Sequence, residues 1–170
     1  MVDDMLMSID RLNSEKNEYM KIVFVDFNEN ILNKTYEWLQ DDEICSLIDA
    51  NPVSLEVQRK WYDELPDKSD YYIKGIMCDS KPIGVVGIKH ICDSTGEYWG
   101  YIGEKEYWGQ GIGKTMVSEM MKDAKDRFNL SILTLRVLET NTRAMGLYKT
   151  MGFIEVGIED GSMLMSIEIL

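Results

Sequence analysis

The sequence contains few cysteines, one histidine and fewer basic than acidic residues, and each shortage narrows the kinds of site it can form. Cys45, Cys78 and Cys92 are odd in number and lack the paired spacing of a metal or redox site, which indicates a reduced, cytosolic setting without a metal. Lys and Arg total 18 against 30 Asp and Glu, so the formal net charge is −12. Nucleic-acid and anionic-membrane surfaces need clustered basic side chains, and we therefore expect neither as a partner.

Long apolar runs are also missing. The chain starts Met1-Val2-Asp3-Asp4, which is acidic where a secretory signal is basic, and no later segment approaches the length of a membrane helix. We therefore expect a cytoplasmic protein. Residues 1–20 are polar with scattered Met and Leu and form either a short leader or an extra turn packed on the domain. Residues 21–170 show no repeat, linker or low-complexity tract and are expected to fold as one domain.

The single histidine, His90, lies two residues before Cys92, a pairing that could serve a thiol nucleophile. Residues two apart on a strand share a face without having to touch functionally, and the sequence offers no orienting partner for the imidazole. We interpret both as structural residues.

Periodicity predicts a mixed pattern of strands and helices. Strands are expected over residues 21–27, 71–77, 82–91, 97–103, 132–137, 153–159 and 163–170. Helices are expected over residues 30–48 with a break near Asp41-Asp42, from Ser54 as N-cap to Pro66, from 114 to 128, and from Asn141 as N-cap to Gly152. The strand at 132–137 follows a crossover helix, which implies parallel pairing, whereas the segments joined by short turns are antiparallel hairpins.

The rest of the chain is organised around the stretch from Glu97 to Phe128. Gly109, Gly111 and Gly113 lie between an aromatic strand candidate and a helix with apolar residues at every third or fourth position. Because glycine tolerates positive φ and has no Cβ, successive N–H groups can converge on an anion at the positive end of the helix. The turn is therefore a candidate phosphate cradle, and the methionines of the helix are expected to pack in the core.

Spacing excludes two common phosphate-binding loops. A P-loop that ends in Gly113-Lys114-Thr115 requires glycine where this chain has Trp108. A dinucleotide fingerprint requires glycine or alanine where this chain has Lys114, or Met116 if the fingerprint starts at Gly111.

Two motifs resemble those of the GNAT acetyltransferases. The first resembles the pyrophosphate-binding loop of that family and reads Tyr107-Trp108-Gly109-Gln110-Gly111-Ile112-Gly113. Its Trp108 occupies the usual Gln or Arg position, a departure familiar in the branch of ribosomal-protein N-terminal acetyltransferases and their small-molecule relatives. The second matches Asn-x-x-Ala-x-x-Leu-Tyr-x-x-x-Gly-Phe from Asn141 to Phe153 at every defining position. The motifs also lie in the order and at the separation expected of the family.

The resemblance implies the GNAT fold, an α/β (α+β) domain whose mixed, mostly antiparallel sheet of about seven strands is flanked by about four helices. It also implies acetyl-CoA as cosubstrate. The phosphates would be held by the N–H groups of Gly109, Gln110, Gly111, Ile112, Gly113 and Lys114. Along the pantetheine arm would lie Ile102, Gly103 and Glu104, one of whose N–H groups would stabilise the developing oxyanion. Asn141 would bond the same arm, although capping its helix also explains it.

Acetyl transfer to an amine requires a base and an acid. A free alkylamine has a pKa near about 10, so its proton must be removed before attack. Glu97 matches an acidic position of the family and is the candidate base, with a solvated strand-end charge as the alternative; Asp93 is a weaker substitute. Tyr148 matches the general acid of the family and would donate to the leaving thiolate, whereas its plain interpretation is a packed aromatic residue.

The resemblance leaves the acceptor open. Nucleotide-linked amino sugars come first, protein N-terminal amines second, and polyamines or antibiotics third. A basic groove would favour the nucleotide sugar, and an open, acidic groove would favour a peptide or polyamine. Trp99 and Trp108 flank the expected cleft and could stack on a ring. A monomer or homodimer is expected, and a non-catalytic acyl-CoA-binding module is the rival from another class.

Overall fold

A computed structural model describes residues 20–169 of the chain, so the predicted leader lies outside the described residues except for Met20. One seven-stranded sheet forms the centre of this region. Its strands in chain order are β1 (Ile22–Asp26), β2 (Tyr72–Cys78), β3 (Lys81–Cys92), β4 (Thr95–Ile102), β5 (Ile132–Leu138), β6 (Ile154–Glu159) and β7 (Ser162–Glu168). They lie in the order β1-β2-β3-β4-β5-β7-β6, and each predicted strand is present.

The described residues contain five α-helices, one more than expected. They are α1 (Glu29–Trp38), α2 (Asp42–Ile48), α3 (Leu55–Glu64), α4 (Ile112–Asp126) and α5 (Thr142–Thr150). The predicted break near Asp41 separates α1 from α2, because the Asp41 carboxylate accepts hydrogen bonds from the N–H groups of Glu43 and Ile44 and so starts a new helix. Ser54 and Asn141 cap α3 and α5 as predicted.

All neighbouring strands are antiparallel except β4 and β5. These two pair in parallel after the α4 crossover, which confirms the expected connection. The mixed, mostly antiparallel sheet is therefore confirmed. None of the helices in the described range is long and apolar enough to cross a membrane.

The sheet carries helices on both faces. On one face α4 packs into the larger core, where Val117, Met120 and Ala124 are fully buried, so the methionines serve packing as predicted. On the other face a smaller cluster gathers Ile31 and Trp38 of α1 and Ile44 of α2 against Val85 of β3. The strands between these layers hold the candidate site.

Candidate functional site

The site begins as a gap in the sheet. β4 and β5 pair only from Thr95–Ile132 to Glu97–Thr134, although β4 continues to Ile102 and β5 to Leu138. Beyond Glu97 the two strands therefore diverge, and their facing edges lack a strand partner. A cavity of about 880 Å³ occupies this gap and reaches both faces of the sheet.

The register divides the cavity wall into two halves, because paired residues on neighbouring strands point to the same face. We call the half on the core face the α4 side; it includes Tyr98, Gly100, Ile102, Val137, the glycine loop and the start of α5. We call the opposite half the α2 side. It includes Tyr71, Lys89, Glu97, Trp99, Tyr101, Arg136, Leu138 and Ser162 together with the end of α2 and the β6–β7 turn.

The glycine loop leads directly into α4. Gly109 and Gly111 have φ of 76° and 81°, values that favour glycine, and Gly111 is the N-cap residue. Within residues 20–169, the N–H groups from Gly109 to Gly113 have no hydrogen-bond acceptor, whereas the N–H of Lys114 donates to the Gly111 carbonyl oxygen at 3.2 Å. The helix N-terminus therefore presents a row of free donors to the cavity.

Two cations complete this end of the site. Lys114 lies in the first turn of α4, and Arg143 lies in the first turn of α5; both line the cavity. The Arg143 guanidinium approaches the loop so closely that a Cβ on Gly109 would lie 2.8 Å from it. Arg143 occupies a variable position of the second motif, and the sequence prediction missed it because only the fold brings that helix end against the loop.

The three residues predicted along the β4 edge differ in what they offer. The N–H groups of Gly103 and Glu104 both donate to the Ile83 carbonyl oxygen of β3, at 2.8 and 3.2 Å, and neither residue lines the cavity. The Gly103–Ile83 hydrogen bond makes these two residues a hydrogen-bonded pair. Such pairs alternate with non-bonded pairs along an antiparallel ladder, so the next pair, Gly84–Ile102, is non-bonded. The N–H groups of Ile102 and Gly100 therefore face the gap.

The Glu104 side chain has a structural environment. It accepts a hydrogen bond from Trp38 Nε1 at 3.2 Å and pairs with Lys34 and Lys81. Burial raises the pKa of this carboxyl, but the Trp38 hydrogen bond and the two lysines outweigh that effect and leave the pKa below its ordinary value. Glu104 thus holds α1 against the β4 end.

Gln110 and Trp108 stabilise the loop from within. Gln110 Nε2 donates to the Glu106 carbonyl oxygen at 2.6 Å, and Gln110 does not line the cavity. Trp108 Nε1 donates to the Ile102 carbonyl oxygen at 2.9 Å, which ties the loop to the end of β4. The tryptophan that replaces the usual Gln or Arg therefore anchors the loop, and it lines the cavity as does Trp99.

Tyr148 reaches the cavity from α5. Its ring makes edge contacts with Tyr98 and Phe153, with centroids 5.8 and 5.9 Å apart, and burial raises the pKa of its phenol to about 12. No hydrogen-bond partner for the hydroxyl is present among the described residues. The phenol is therefore held protonated beside the cavity.

Asn141 connects the two halves of the site. Its Oδ1 accepts the N–H of Ala144 as the α5 cap, and its Nδ2 donates to the Leu47 carbonyl oxygen in α2 at 3.2 Å. At the start of α2, Lys105 pairs with Asp41 and Glu43 at 2.8 and 2.6 Å. Helix α2 is thereby held at both ends across the cavity.

Glu97 lies at the point where β4 and β5 part. Its side chain is 14% exposed, and its two carboxylate oxygens bind Lys89 Nζ at 3.3 Å and His90 Nδ1 at 3.0 Å. His90 thus contacts a carboxylate, whereas Cys92 Sγ donates weakly to Asp93 at 3.6 Å. Sequence reasoning missed the contact between His90 and Glu97, because only the pairing of β3 with β4 brings the two side chains together.

Charge differs between the two halves. The α4 side carries Lys114 and Arg143 and no carboxylate among the described residues that line it. The α2 side carries two cations, and both are in ion pairs. Lys89 pairs with Glu97, and Arg136 pairs with Glu159 at 2.7 Å. Its other carboxylates, Asp49 and Asp160, have no ion-pair partner within residues 20–169. One half suits an anion and the other a cation.

Comparisons with known proteins point to one family. The sequence model of the acetyltransferase (GNAT) family matches residues 32–153. An uncharacterized N-acetyltransferase of Dictyostelium discoideum is 40% identical over 52 residues, which is 31% of this chain and 24% of that protein. The match thus spans about a quarter of the curated relative.

Solved structures share the fold at low sequence identity. Spermidine N-acetyltransferase from Vibrio cholerae, in complex with CoA and spermine, superposes with a TM-score of 0.78 at 19% identity over 87% of this chain and 95% of that one. The N-acetyltransferase PseH of Campylobacter jejuni, in complex with acetyl coenzyme A, gives 0.69 at 17% identity over 88% and 98%.

Proposed function

This chain belongs to the acetyltransferase (GNAT) family, and on that premise we propose that it transfers the acetyl group of acetyl-CoA to a primary amine. The observation that carries the proposal is the division of charge across the sheet. Free N–H groups and two cations face the α4 side, and unpaired carboxylates face the α2 side. A polyanionic donor and a cationic acceptor would then meet in the gap between β4 and β5.

The donor would lie along the α4 side. The N–H groups from Gly109 to Gly113 would bind the pyrophosphate with help from Lys114 and Arg143. Bound acetyl-CoA supplies an activated acetyl thioester. The Ile102 and Gly100 N–H groups would donate to its carbonyl oxygen as negative charge develops there. Gly103 and Glu104, which were expected to share this role, would instead support the strand end through Ile83 and Trp38.

Two side chains would handle the protons. Glu97 would take a proton from the ammonium, since a protonated amine cannot attack. The Tyr148 hydroxyl would interact with the sulfur of the departing CoA. Because a phenol with a pKa of about 12 is a weaker acid than a thiol at about 8.5, we assign Tyr148 a hydrogen bond to that sulfur rather than complete proton transfer. Asn141 would position the start of α5 and thereby Tyr148.

The acceptor would be a small amine with additional positive charge, such as a polyamine. Asp49 and Asp160 favour this class because they are acidic and lack a counter-ion among residues 20–169. The second candidate is a nucleotide-linked amino sugar, which the aromatic pair Tyr71 and Trp99 would support by stacking; their ring centroids lie 5.7 Å apart.

A panel of amines tests the acceptor. We would measure CoA thiol release from acetyl-CoA with spermidine, kanamycin, a UDP-linked amino sugar and a peptide with a free N-terminus. Fastest turnover with spermidine supports the cationic class, and fastest turnover with the UDP-sugar supports the second candidate. No release with any amine would remove the transferase proposal.

Thermal stabilisation separates donor binding from turnover. At 100 times its Kd, acetyl-CoA should stabilise the fold by about 2.7 kcal/mol. Stabilisation without CoA release would favour a non-catalytic binding module. If acetyl-CoA did not stabilise the fold at all, the proposal that the glycine loop binds its phosphates would be wrong.

A further inference from the structure

We propose that His90 relays the amine proton from Glu97 to solvent. This inference rests on the proposed function, in which Glu97 receives that proton. It concerns how the carboxylate is returned to its basic form between turnovers. The two side chains meet at 3.0 Å, between His90 Nδ1 and Glu97 Oε2.

The backbone of β3 is bent to make this contact. Neighbouring residues of a regular strand point to opposite faces, so Lys89 and His90 could not both reach one carboxylate from a straight β3. His90 instead has a φ of 53°, and the β3–β4 register shifts between Lys89 and Cys92. The resulting bulge places both side chains on Glu97. Histidine is among the residues that adopt the left-handed region more readily than most, and here this conformation brings the imidazole to the carboxylate.

Exposure changes sharply across the contact. The Glu97 side chain is 14% exposed and lines the cavity, whereas the His90 side chain is 69% exposed and does not line it. A bound acceptor would cover the cavity face of Glu97. The imidazole would then connect the carboxylate to bulk water by a route that the acceptor does not block.

Each turnover moves one proton from the acceptor through Glu97 and His90 to water. The ammonium of the acceptor gives one proton to a Glu97 carboxylate oxygen, and the neutral amine attacks. While Glu97 is ionised, the neutral imidazole carries its hydrogen on Nδ1 and donates it to the carboxylate. Once Glu97 holds the amine proton, exchange with water moves the imidazole hydrogen to Nε2, and the Glu97 carboxylic acid passes its proton to the freed Nδ1. The imidazolium then releases the Nε2 proton to water, which restores the first tautomer and the Glu97 carboxylate. Histidine suits this step because its imidazole can accept a proton on one nitrogen and release one from the other.

His90→Asn tests the relay. Asparagine tolerates the left-handed backbone and still offers Nδ2–H to Glu97, but its amide cannot carry a proton. We expect kcat to fall about ten-fold or more with whichever amine of the panel reacts fastest, with little change in KM. Added imidazole should restore most of the loss, and a purely structural role for His90 would give no such recovery.

The controls separate the possible failures. Cys92→Ser alters the same bulge at an exposed thiol and should leave kcat and its response to imidazole unchanged. Full activity in His90→Asn together with a large loss in Glu97→Gln would overturn the relay and keep Glu97 as base. Loss in His90→Asn without rescue by imidazole would also overturn the relay. Full activity in Glu97→Gln would reject Glu97 as base, and the relay with it.

A second measurement does not depend on folding of the variant. His90 is the only histidine of the chain, so the ultraviolet absorbance of carbethoxyhistidine follows its modification by diethyl pyrocarbonate and its recovery with hydroxylamine. The relay requires that the native enzyme lose turnover on modification and regain it with hydroxylamine. Unchanged turnover after complete modification would overturn the proposal, and the absence of turnover with every amine would overturn both the relay and the proposed function.

Discussion

The Tyr148 hydroxyl can be removed while the packing of its ring is kept. Phenylalanine preserves the edge contacts with Tyr98 and Phe153 and removes only the oxygen. We expect Tyr148→Phe to lower kcat about 10- to 100-fold, because the departing sulfur loses the hydrogen bond from the hydroxyl. The Kd for acetyl-CoA should stay the same. Steady-state CoA release and calorimetric titration measure the two quantities.

Tyr36→Phe provides the matched control, since Tyr36 lies in α1 and does not line the cavity. It should alter neither quantity. Normal turnover in Tyr148→Phe would show that the Tyr148 hydroxyl does not donate a hydrogen bond to the departing sulfur.

Substitution of Gly109 tests whether the glycine loop binds the phosphates of acetyl-CoA. Its φ is 76°, and an added Cβ would meet the Arg143 guanidinium at 2.8 Å. Gly109→Ala should therefore weaken acetyl-CoA binding at least ten-fold, or about 1.4 kcal/mol, as measured by calorimetric titration. The left-handed backbone should also cost about 1–2 kcal/mol in unfolding free energy.

Gly161→Ala separates these two effects. Gly161 has a φ of 78°, almost that of Gly109, but an added Cβ would meet no atom within 4 Å. It should lose the same unfolding free energy and keep acetyl-CoA affinity. Equal loss of affinity in both variants would mean that backbone strain, and not the cradle, controls binding.

At the scale of elements, the same substitution should stabilise one helix more than the other. Gly146 lies inside α5, where an added Cβ meets nothing within 4 Å. Gly146→Ala should raise the unfolding free energy by about 0.5–1 kcal/mol through helix propensity. In α4, a Cβ on Gly113 would lie 2.7 Å from Leu147 Cδ2, so the Leu147 side chain must move and Gly113→Ala should gain less than Gly146→Ala. Urea unfolding of the two variants measures this difference; an equal gain in both would contradict the packing of α4 on α5.

Local sequence signals predicted the elements well. The caps Ser54 and Asn141 start α3 and α5 as expected, because capping depends on a side chain and the N–H groups that follow it. The break at Asp41 and the end of α2 at Ile48 were also predicted. Helix α2 is held by Lys105 and Asn141 from distant segments, and sequence periodicity does not show such contacts.

At the scale of the whole molecule, the motifs pointed to segments that the fold brings to one cavity, but they did not predict how the wall of that cavity is divided. Tyr148 and the glycine loop line the cavity, as the resemblance implied. The N–H groups of Gly103 and Glu104 donate to Ile83 because of the β3–β4 register, and the sequence motifs do not reveal that register. The roles assigned to these residues in acetyl transfer remain predictions.

Tyrosine burial makes the whole fold sensitive to alkali. Burial raises the pKa of Tyr148 to about 12, and it also raises the pKa values of Tyr71, Tyr72, Tyr98 and Tyr101 above their ordinary value. Above pH about 10 the unfolded chain loses these protons while the native protein keeps them, so the unfolded state binds fewer protons and stability falls as pH rises. Stability that is complete below pH about 10 should thus be lost progressively toward pH 12, with about 2–3 kcal/mol from Tyr148 alone.

Urea unfolding at a series of pH values, with tyrosinate absorbance recorded in parallel, tests this sign. The tyrosinate absorbance should rise mainly together with unfolding, because these five phenols have raised pKa values in the native protein. Tyr148→Phe should lose stability less steeply over the same range, since one of the raised groups is gone, whereas Tyr36→Phe should follow the native curve. Ionisation of these phenols near pH 10 in a protein that stayed folded would contradict the burial that raises their pKa values.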